Sequence, residues 1–294
     1  MTNAPNTQPY GLFIRADKSR AFDISDAVGF EDDIGALAVS IFEDGPDMMH
    51  VQALFETEAQ AQACLVKLDL TPEIERFITQ LPDEDWVSLS QSGLPPVHAG
   101  RFFIYGSHDA DKIPSDAPYP IRIEAGMAFG TGHHGTTKGC LLMLDDMINA
   151  GGRPEHILDL GCGAGILAIA AAKAFDCPIL ATDIDPDAIT VTQQNAETAG
   201  VANLIDAHVA DGFNAAILQN RQFDLIFANI LAGPLMGLAP DIARATAPSG
   251  KVILSGILDE LAQSVGQTFQ SHGFAINPQP SLAGWTSLLA VKQP

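Results

Sequence analysis

A strand-like run, Ile157-Leu158-Asp159-Leu160, leads straight into Gly161-Cys162-Gly163-Ala164-Gly165 and then into an apolar, Ala- and Ile-rich segment from Ile166 to Phe175. Glycines in such a turn let the backbone bend sharply and approach a ligand closely. Free N–H groups at the start of the following helix favour an anion or a polar ligand atom. The turn by itself is weak evidence, because many such turns only pack a helix on a sheet. Its spacing is GxGxG, and the third glycine falls one residue early for a dinucleotide fingerprint.

A second group is Ala181-Thr182-Asp183-Ile184-Asp185. An acid at the end of the strand after a glycine-rich turn can accept hydrogen bonds from both hydroxyls of a ribose. Capping the next helix is the competing role, and Asp185 suits it better, because Pro186 then stands at the first helical position. That leaves Asp183, with its neighbour Ile184, for a ligand. A third group is Asn229-Ile230-Leu231-Ala232, directly after Phe223–Ala228. A carboxamide there both donates and accepts, so it can orient an amine or a carboxylate; a turn-forming Asn is an equal reading of the residue alone. The fourth group is the glycine-rich loop 126–137, with Phe129, Gly130, Thr131 and Thr137, which could fold over a ligand as a lid. Phe129 could pack on that ligand, or meet a cation with its ring face. The pair His133-His134 invites a metal, but adjacent side chains diverge and no acid or thiol stands at ligand spacing, so no metal site is expected. Neither a GxSxG elbow nor a Walker loop occurs.

Strands and helices alternate around these groups, which implies a parallel sheet with helices on both faces. Strands are expected at His156–Leu160, Ile179–Asp183, Leu204–Val209, Phe223–Ala228, Lys251–Ser255 and Trp285–Val291. Helices are expected at Cys140–Ile148, Ile166–Phe175, Asp187–Ala199, Leu235–Ala247 and Leu258–His272. In an open sheet of this kind ligands bind outside the carboxyl ends of the strands, where the first three groups fall.

The first hundred residues read differently. Tyr10–Arg15, Gly35–Glu43 and Met49–Glu56 have strand patterns, Arg20–Asp32 is a helix candidate, and Asp44-Gly45-Pro46-Asp47 is a turn signal. Thr57 followed by Gln60 has the spacing of a capping box before an Ala-rich helix to Leu68. Glu75–Gln80 fits either a strand or the helix that Thr71-Pro72-Glu73 would open. The order β-α-β-β-α-β is that of a ferredoxin-like sandwich. A later strand is expected at Arg101–Tyr105, and His108–Pro120, with three prolines, reads as a linker. The expected organisation is therefore an α+β domain over 1–107, a linker over 108–120 and a Rossmann-like domain over 121–294.

Composition narrows the classes of function. The chain has 294 residues, is 47% hydrophobic and carries a formal net charge of −21, which excludes wholesale disorder and disfavours a nucleic-acid partner. The negative charge is denser at the start, −12 over residues 1–112 against −9 over the rest. Solubility alone explains such a charge; attraction to a basic partner is the sharper reading. The opening residues lack the apolar core of a signal peptide and no run is long enough to span a membrane, so no membrane association is expected. Cys64, Cys140, Cys162 and Cys177 form no CxxC pair, which suits buried thiols in a reducing cytoplasm.

Taken together, 126–144 (GMAFGTGHHGTTKGCLLML), 157–171 (ILDLGCGAGILAIAA), 181–189 (ATDIDPDAI) and 223–235 (FDLIFANILAGPL) resemble the class I S-adenosylmethionine-dependent methyltransferases. The closer resemblance is to the ribosomal protein L-eleven (L11) methyltransferase family, PrmA. It is strong over roughly the last 170 residues, while the first 105 or so match in layout, best at Asp85-Trp86-Val87 and Gly100-Arg101-Phe102. The resemblance implies a seven-stranded, mostly parallel sheet and S-adenosyl-L-methionine as cofactor. It implies a cofactor site of Phe129, Gly130, Thr131, Thr137, Asp159, Gly161, Gly163, Asp183, Ile184 and Asn229, with Asn229 also catalytic. It also implies methylation of lysine ε-amino or N-terminal α-amino groups on the basic large-subunit ribosomal protein L-eleven, by an enzyme expected to be monomeric. His133 and Gly135 depart from the family, which usually has Thr and Pro there. Two other classes compete: a nicotinamide-dependent oxidoreductase, which the GxGxG spacing opposes, and a non-catalytic binding protein, which the intact Gly161, Asp183 and Asn229 oppose. A methyltransferase acting on another protein or a small molecule is the remaining alternative.

Overall fold

The computed structural model describes residues 9–29, 36, 38–43, 48–68, 70–81, 96–115, 117–123, 135–278 and 280–294. Its contacts cluster into two units, Met1–Ser90 and Gln91–Pro294. In the first unit the strands are β1 (Tyr10–Asp17), β2 (Ala38–Glu43), β3 (Met48–Phe55) and β4 (Glu75–Gln80), with helices α1 (Lys18–Gly29) and α2 (Glu58–Lys67). The sheet order is β2-β3-β1-β4, with every neighbouring pair antiparallel, the arrangement of a ferredoxin-like sandwich. Period-2 alternation explains its one-sided core: Leu12, Ile14, Ala16, Met49, Val51 and Ala53 are buried with Ala21, Ile24, Ala61 and Cys64 of the helices. The capping box at α2 forms as its spacing predicts. The Thr57 hydroxyl accepts from the Gln60 N–H at 3.3 Å, and the Gln60 side chain accepts from the Thr57 N–H at 3.0 Å. Glu75–Gln80 is a strand, while the turn expected at Asp44–Asp47 lies outside the described residues.

The second unit opens with a small three-stranded sheet of β5 (Val97–Ala99), β6 (Phe102–Tyr105) and β7 (Tyr119–Arg122), in that order. Two of these strands escape the sequence patterns. β5 is only three residues long, and β7 starts within the end of the expected linker, where Pro120 hides it; a proline is tolerated on an edge strand. Phe102, Ile104 and Ile121 are buried in one core with Cys140, Leu141, Ile166 and Ile169, so the strand expected at Arg101–Tyr105 packs within the second unit.

The large sheet contains β8 (Ile157–Leu160), β9 (Ile179–Asp183), β10 (Ile205–Val209), β11 (Phe223–Asn229), β12 (Thr246–Leu258), β13 (Phe274–Pro278) and β14 (Trp285–Lys292). Its order is β10-β9-β8-β11-β12-β14-β13, parallel except for β14, which runs against both neighbours. The helices are α3 (Gly135–Asn149), α4 (Ile166–Phe175), α5 (Pro186–Thr198), α6 (Ala232–Gly237), α7 (Ala239–Ala245) and α8 (Ala262–Ser271). Separate apolar clusters cover the two faces of the sheet, one around α3 and α4 and the other around α6, α7 and α8. α4 is buried at every position from Ile166 to Ala172, which is why its pattern is continuous rather than amphipathic.

Three helices differ from expectation. α3 begins at Gly135 rather than Cys140, so Thr136 and Thr137 of the expected loop lie in its first turn. The segment from Leu235 breaks at Leu238 into α6 and α7, because Pro240 belongs in the first turn of a helix and not in its interior. The helix expected from Leu258 begins instead with a 3-10 turn, Asp259–Leu261. There the Asp259 carboxylate accepts from the Ser281 and Thr286 hydroxyls at 2.7 and 2.6 Å.

Candidate active site

The order of the large sheet reverses between β8 and β11, since the chain steps outward through β9 and β10 on one side and β12 on the other. Such a switch point leaves a crevice beyond the strand ends. Gly161 follows β8, Asp183 and Ile184 close β9, Asn229 and Ile230 close β11, and Ser255 and Gly256 lie beside them on β12.

The glycine-rich turn is tied through its N–H groups to β9. Gly161, Gly163 and Gly165 have φ of 72°, 54° and 79°, where an L side chain is strained. The Gly161 and Cys162 N–H groups both donate to the Thr182 carbonyl, at 2.8 and 3.0 Å, tying the turn to β9. A Cβ on Gly161 would stand 2.4 Å from Ile230 Cγ2, so the turn and the residue after Asn229 pack without a gap.

Asp183 extends this order. One of its carboxylate oxygens accepts from the Gly163 N–H at 2.8 Å, the other from the Asp185 N–H at 3.0 Å. A carboxylate has lone pairs for about four bonds, so Asp183 keeps capacity to accept from a ligand. Ile184, beside it, is 67% exposed, an apolar side chain offered to solvent at the end of a buried strand. Asp185 caps α5 by accepting from the Asp187 N–H at 2.8 Å, with Pro186 at the first helical position.

Asp159 sits beneath the turn and is 1% exposed, on the face of β8 that meets α4. Its carboxylate accepts from the Ala168 N–H at 2.9 Å. Burial pushes its carboxyl up to about 7, against the opposing pull of that bond and with help from the charge of Asp183. Burial likewise pushes the Cys140 thiol up to about 12, so that sulfur stays protonated at neutral pH.

Across the switch point, Asn229 Nδ2 donates to Thr137 Oγ1 at 3.5 Å, joining β11 to the first turn of α3. Thr137 is buried, and its neighbour Thr136 is held through its carbonyl by the Ser255 hydroxyl at 3.1 Å. Ser255 also pairs with Ser287 of β14 at 2.9 Å. Gly256 presses on the backbone after Asn229: a Cβ there would be 2.3 Å from the Ile230 carbonyl. At the start of α3, a Cβ on Gly135 would be 2.4 Å from the Leu282 carbonyl, a close approach that suits glycine at this position.

The fold therefore brings Thr137, Asp159, Gly161, Gly163, Asp183, Ile184 and Asn229 to one end of the sheet. Phe129, Gly130 and Thr131 lie outside the described residues, as do His133 and His134. Among the described residues no cluster of three His, Cys, Asp or Glu is placed to hold a metal, and no helix is long and apolar enough to cross a membrane. The sequence reading names Ile230 without giving it a role and misses Ser255, Gly256, Thr192 and Asn195, which shape the site from other elements. The last two carry a signal, since they are polar residues on the otherwise apolar buried face of α5.

The family described as "Ribosomal protein L11 methyltransferase (PrmA)" matches residues 19–293. A ribosomal protein L11 methyltransferase of Rhodopseudomonas palustris (strain BisB5) is 42% identical over 306 residues, covering 99% of each chain. One from Brucella suis (strain ATCC 23445 / NCTC 10510) is 44% identical over 283 residues, covering 94% of this chain and 97% of its own. Among solved structures, a ribosomal protein L11 methylase of Lactobacillus delbrueckii subsp. bulgaricus aligns with a TM-score of 0.59 at 27% identity, over 68% of this chain and 99% of its own.

Proposed function

The chain belongs to the ribosomal protein L11 methyltransferase family, and on that premise we propose that the strand ends around its switch point bind S-adenosylmethionine and present its methyl group to amines of ribosomal protein L11. The enzyme is a methyltransferase, its methyl donor is S-adenosylmethionine, and its protein substrate is ribosomal protein L11. The observation that carries the site assignment is the placement of a glycine turn, a partly satisfied carboxylate and a carboxamide on adjoining strand ends.

The residues present suit the cofactor. Asp183 is an acceptor suited to ribose hydroxyls, Ile184 offers an apolar face for adenine, and Gly161 and Gly163 let the backbone approach. Thr137 and Asn229 would meet the amino-acid end, where a carboxamide and a hydroxyl serve an ammonium and a carboxylate alike. Phe129, Gly130 and Thr131 complete the proposed set from the loop before α3. Asp159 acts through the turn that it supports. When bound, the cofactor supplies a methyl group already activated on a sulfonium.

The protein's task is to hold an amine in line with that methyl, and orientation of this kind supplies much of the rate. Asn229 orients the amine. A lysine amine has an ordinary pKa of about 10.4, so its proton must leave before it can attack. Withdrawal from water disfavours the charged form, and the proton passes to solvent without a dedicated base. The acceptors are lysine ε-amino and N-terminal α-amino groups. The acidic N-terminal unit recognises the basic substrate, with no nucleic acid involved, and the enzyme acts as a monomer in the cytoplasm, the compartment that its separated thiols suit.

Intact-mass spectrometry of unmodified L11 incubated with the enzyme and S-adenosylmethionine tests this. Mass steps of one methyl each, lost with Asn229→Ala, are expected. An unchanged mass from an enzyme that binds the cofactor would move the acceptor to another protein or a small molecule.

A further inference from the structure

The glycine turn faces the crevice on one side and α5 on the other. Two side chains of α5, both buried, reach its carbonyls: Thr192 Oγ1 donates to the Gly163 carbonyl at 2.8 Å, and Asn195 Nδ2 donates to the Ala164 carbonyl at 2.9 Å. The spacing of three residues puts them on one face of the helix, with Ile189 and Ala196 completing the buried stripe. The Thr192 hydroxyl, having given its proton to Gly163, stands 3.4 Å from the Cys162 sulfur. Gly165 is flush against the same side chain, since a Cβ there would be 2.9 Å from both Thr192 Oγ1 and Cγ2. The far end of the helix pair is also tied, by Lys173 Nζ of α4 donating to the Ala199 carbonyl at 2.9 Å.

We propose that Thr192 and Asn195 are positioning residues for cofactor binding: they hold the carbonyls of the glycine turn toward α5 and so fix the orientation of its peptide units at the crevice. The reasoning is stereochemical. In a trans peptide the N–H points opposite to the C=O. Drawing the Gly163 carbonyl toward α5 therefore turns the Ala164 N–H away from it. Glycines at 161, 163 and 165 give the turn several alternative conformations of similar energy. Bonds from outside the turn select among them: Thr182 and Asp183 hold its N–H groups, and the two buried donors of α5 hold its carbonyls. Neither donor is needed to hold α5 itself, which has its own cap at Asp185, its apolar stripe and the Lys173 tie. Buried hydrogen bonds of this kind favour a single arrangement, and a carbonyl deprived of its donor is driven to a new one.

This inference rests on the cofactor assignment above, and the test separates the two. Binding of S-adenosylhomocysteine to the full chain is measured by calorimetry for the wild type, Thr192→Val, Thr192→Ser and Asn195→Ala, with a thermal melt for each. Thr192→Val keeps the shape and removes the donor, while Thr192→Ser keeps the hydroxyl. The expected result is a tenfold rise in Kd for Thr192→Val and for Asn195→Ala, with Thr192→Ser within twofold of wild type. The KM for L11 should stay within twofold throughout. A lowered melting temperature with unchanged Kd would overturn the positioning role and leave only a structural one. So would a Thr192→Ser variant as weak as Thr192→Val. A wild type that does not bind S-adenosylhomocysteine would overturn the cofactor assignment instead. If Thr192→Val does not fold, Asn195→Ala against Thr192→Ser decides the question by the same criterion.

Discussion

The two sides of the switch point are built to different standards. On the β8–β9 side, the turn, Asp183 and Asp185 are joined by bonds of 2.8 to 3.0 Å, each donated by a backbone N–H group. On the β11 side, the Asn229 amide reaches Thr137 across 3.5 Å. A bond at that length contributes little and leaves the amide free to change partners. The side proposed to bind the nucleoside is thus prebuilt, while the side proposed to meet the reacting amine is left adjustable. An enzyme that must accept an amine, release it methylated and take another has reason to keep these properties apart.

Asn229→Ala is the sharpest way to break this contrast. It should lower kcat by roughly 100-fold or more, since loss of orientation alone has effects of that size, and raise the cofactor Kd by less, about 10-fold, because Asn229 also meets the amino-acid end of the cofactor. Equal losses in binding and turnover, read by calorimetry and steady-state kinetics, would mean that the two sides are not separate. Asp183→Ala should do the reverse. Losing a charged acceptor of about 1.5–3 kcal/mol weakens cofactor binding by roughly 10- to 100-fold, and the freed Gly163 N–H loosens the turn as well.

Gly161→Ala probes the packing between the sides. A positive φ and the collision with Ile230 together should cost about 1–3 kcal/mol in urea denaturation. Ile230→Ala in the same chain should recover the steric part and leave the backbone part. Asp159→Asn tests what lies beneath the turn. Between the ordinary aspartate pKa of about 3.9 and its folded value of about 7, the folded protein keeps a proton that the unfolded chain has released. The stability that Asp159 contributes is therefore fully present below the unfolded value and is lost as pH rises through the folded one. Between pH 5 and 8 the wild type should lose about 2–3 kcal/mol more than Asp159→Asn, a figure that follows from the shift by linkage. Salt gives the smallest effect. Raising ionic strength should increase the KM for L11 severalfold and the cofactor Kd much less, because a basic protein carries many charges that salt screens while S-adenosylmethionine carries a net charge of about one.

Much of the prebuilt side was legible in the sequence, since its parts are local: glycines in a strand–helix turn, an acid at the next strand end, Asp185 before Pro186. The capping box at Thr57 was legible for the same reason. The adjustable side was less so. Asn229 was evident as a residue, but its contact with Thr137 spans 92 positions, and the route through Thr136, Ser255 and Ser287 joins three elements that no pattern connects. Thr192 and Asn195 read as part of an ordinary helix until the fold set them against the turn. β7 and the break at Leu238 were obscured by prolines, whose meaning depends on whether a strand is at an edge or a helix is beginning.

β14 lies between β12 and β13, and its Ser287 reaches the hydroxyl that holds the first turn of α3. Every other strand of the large sheet precedes it in the chain. As the polypeptide is synthesised from its N-terminus, β13 is made before the strand it pairs with, and α3 before the last support of its site end. The polypeptide thus emerges with its glycine turn already able to form and the first turn of α3 still without the support that Ser287 gives. A nascent chain paused before Trp285 would hold the proposed nucleoside side of the site complete and the proposed amine side unbraced.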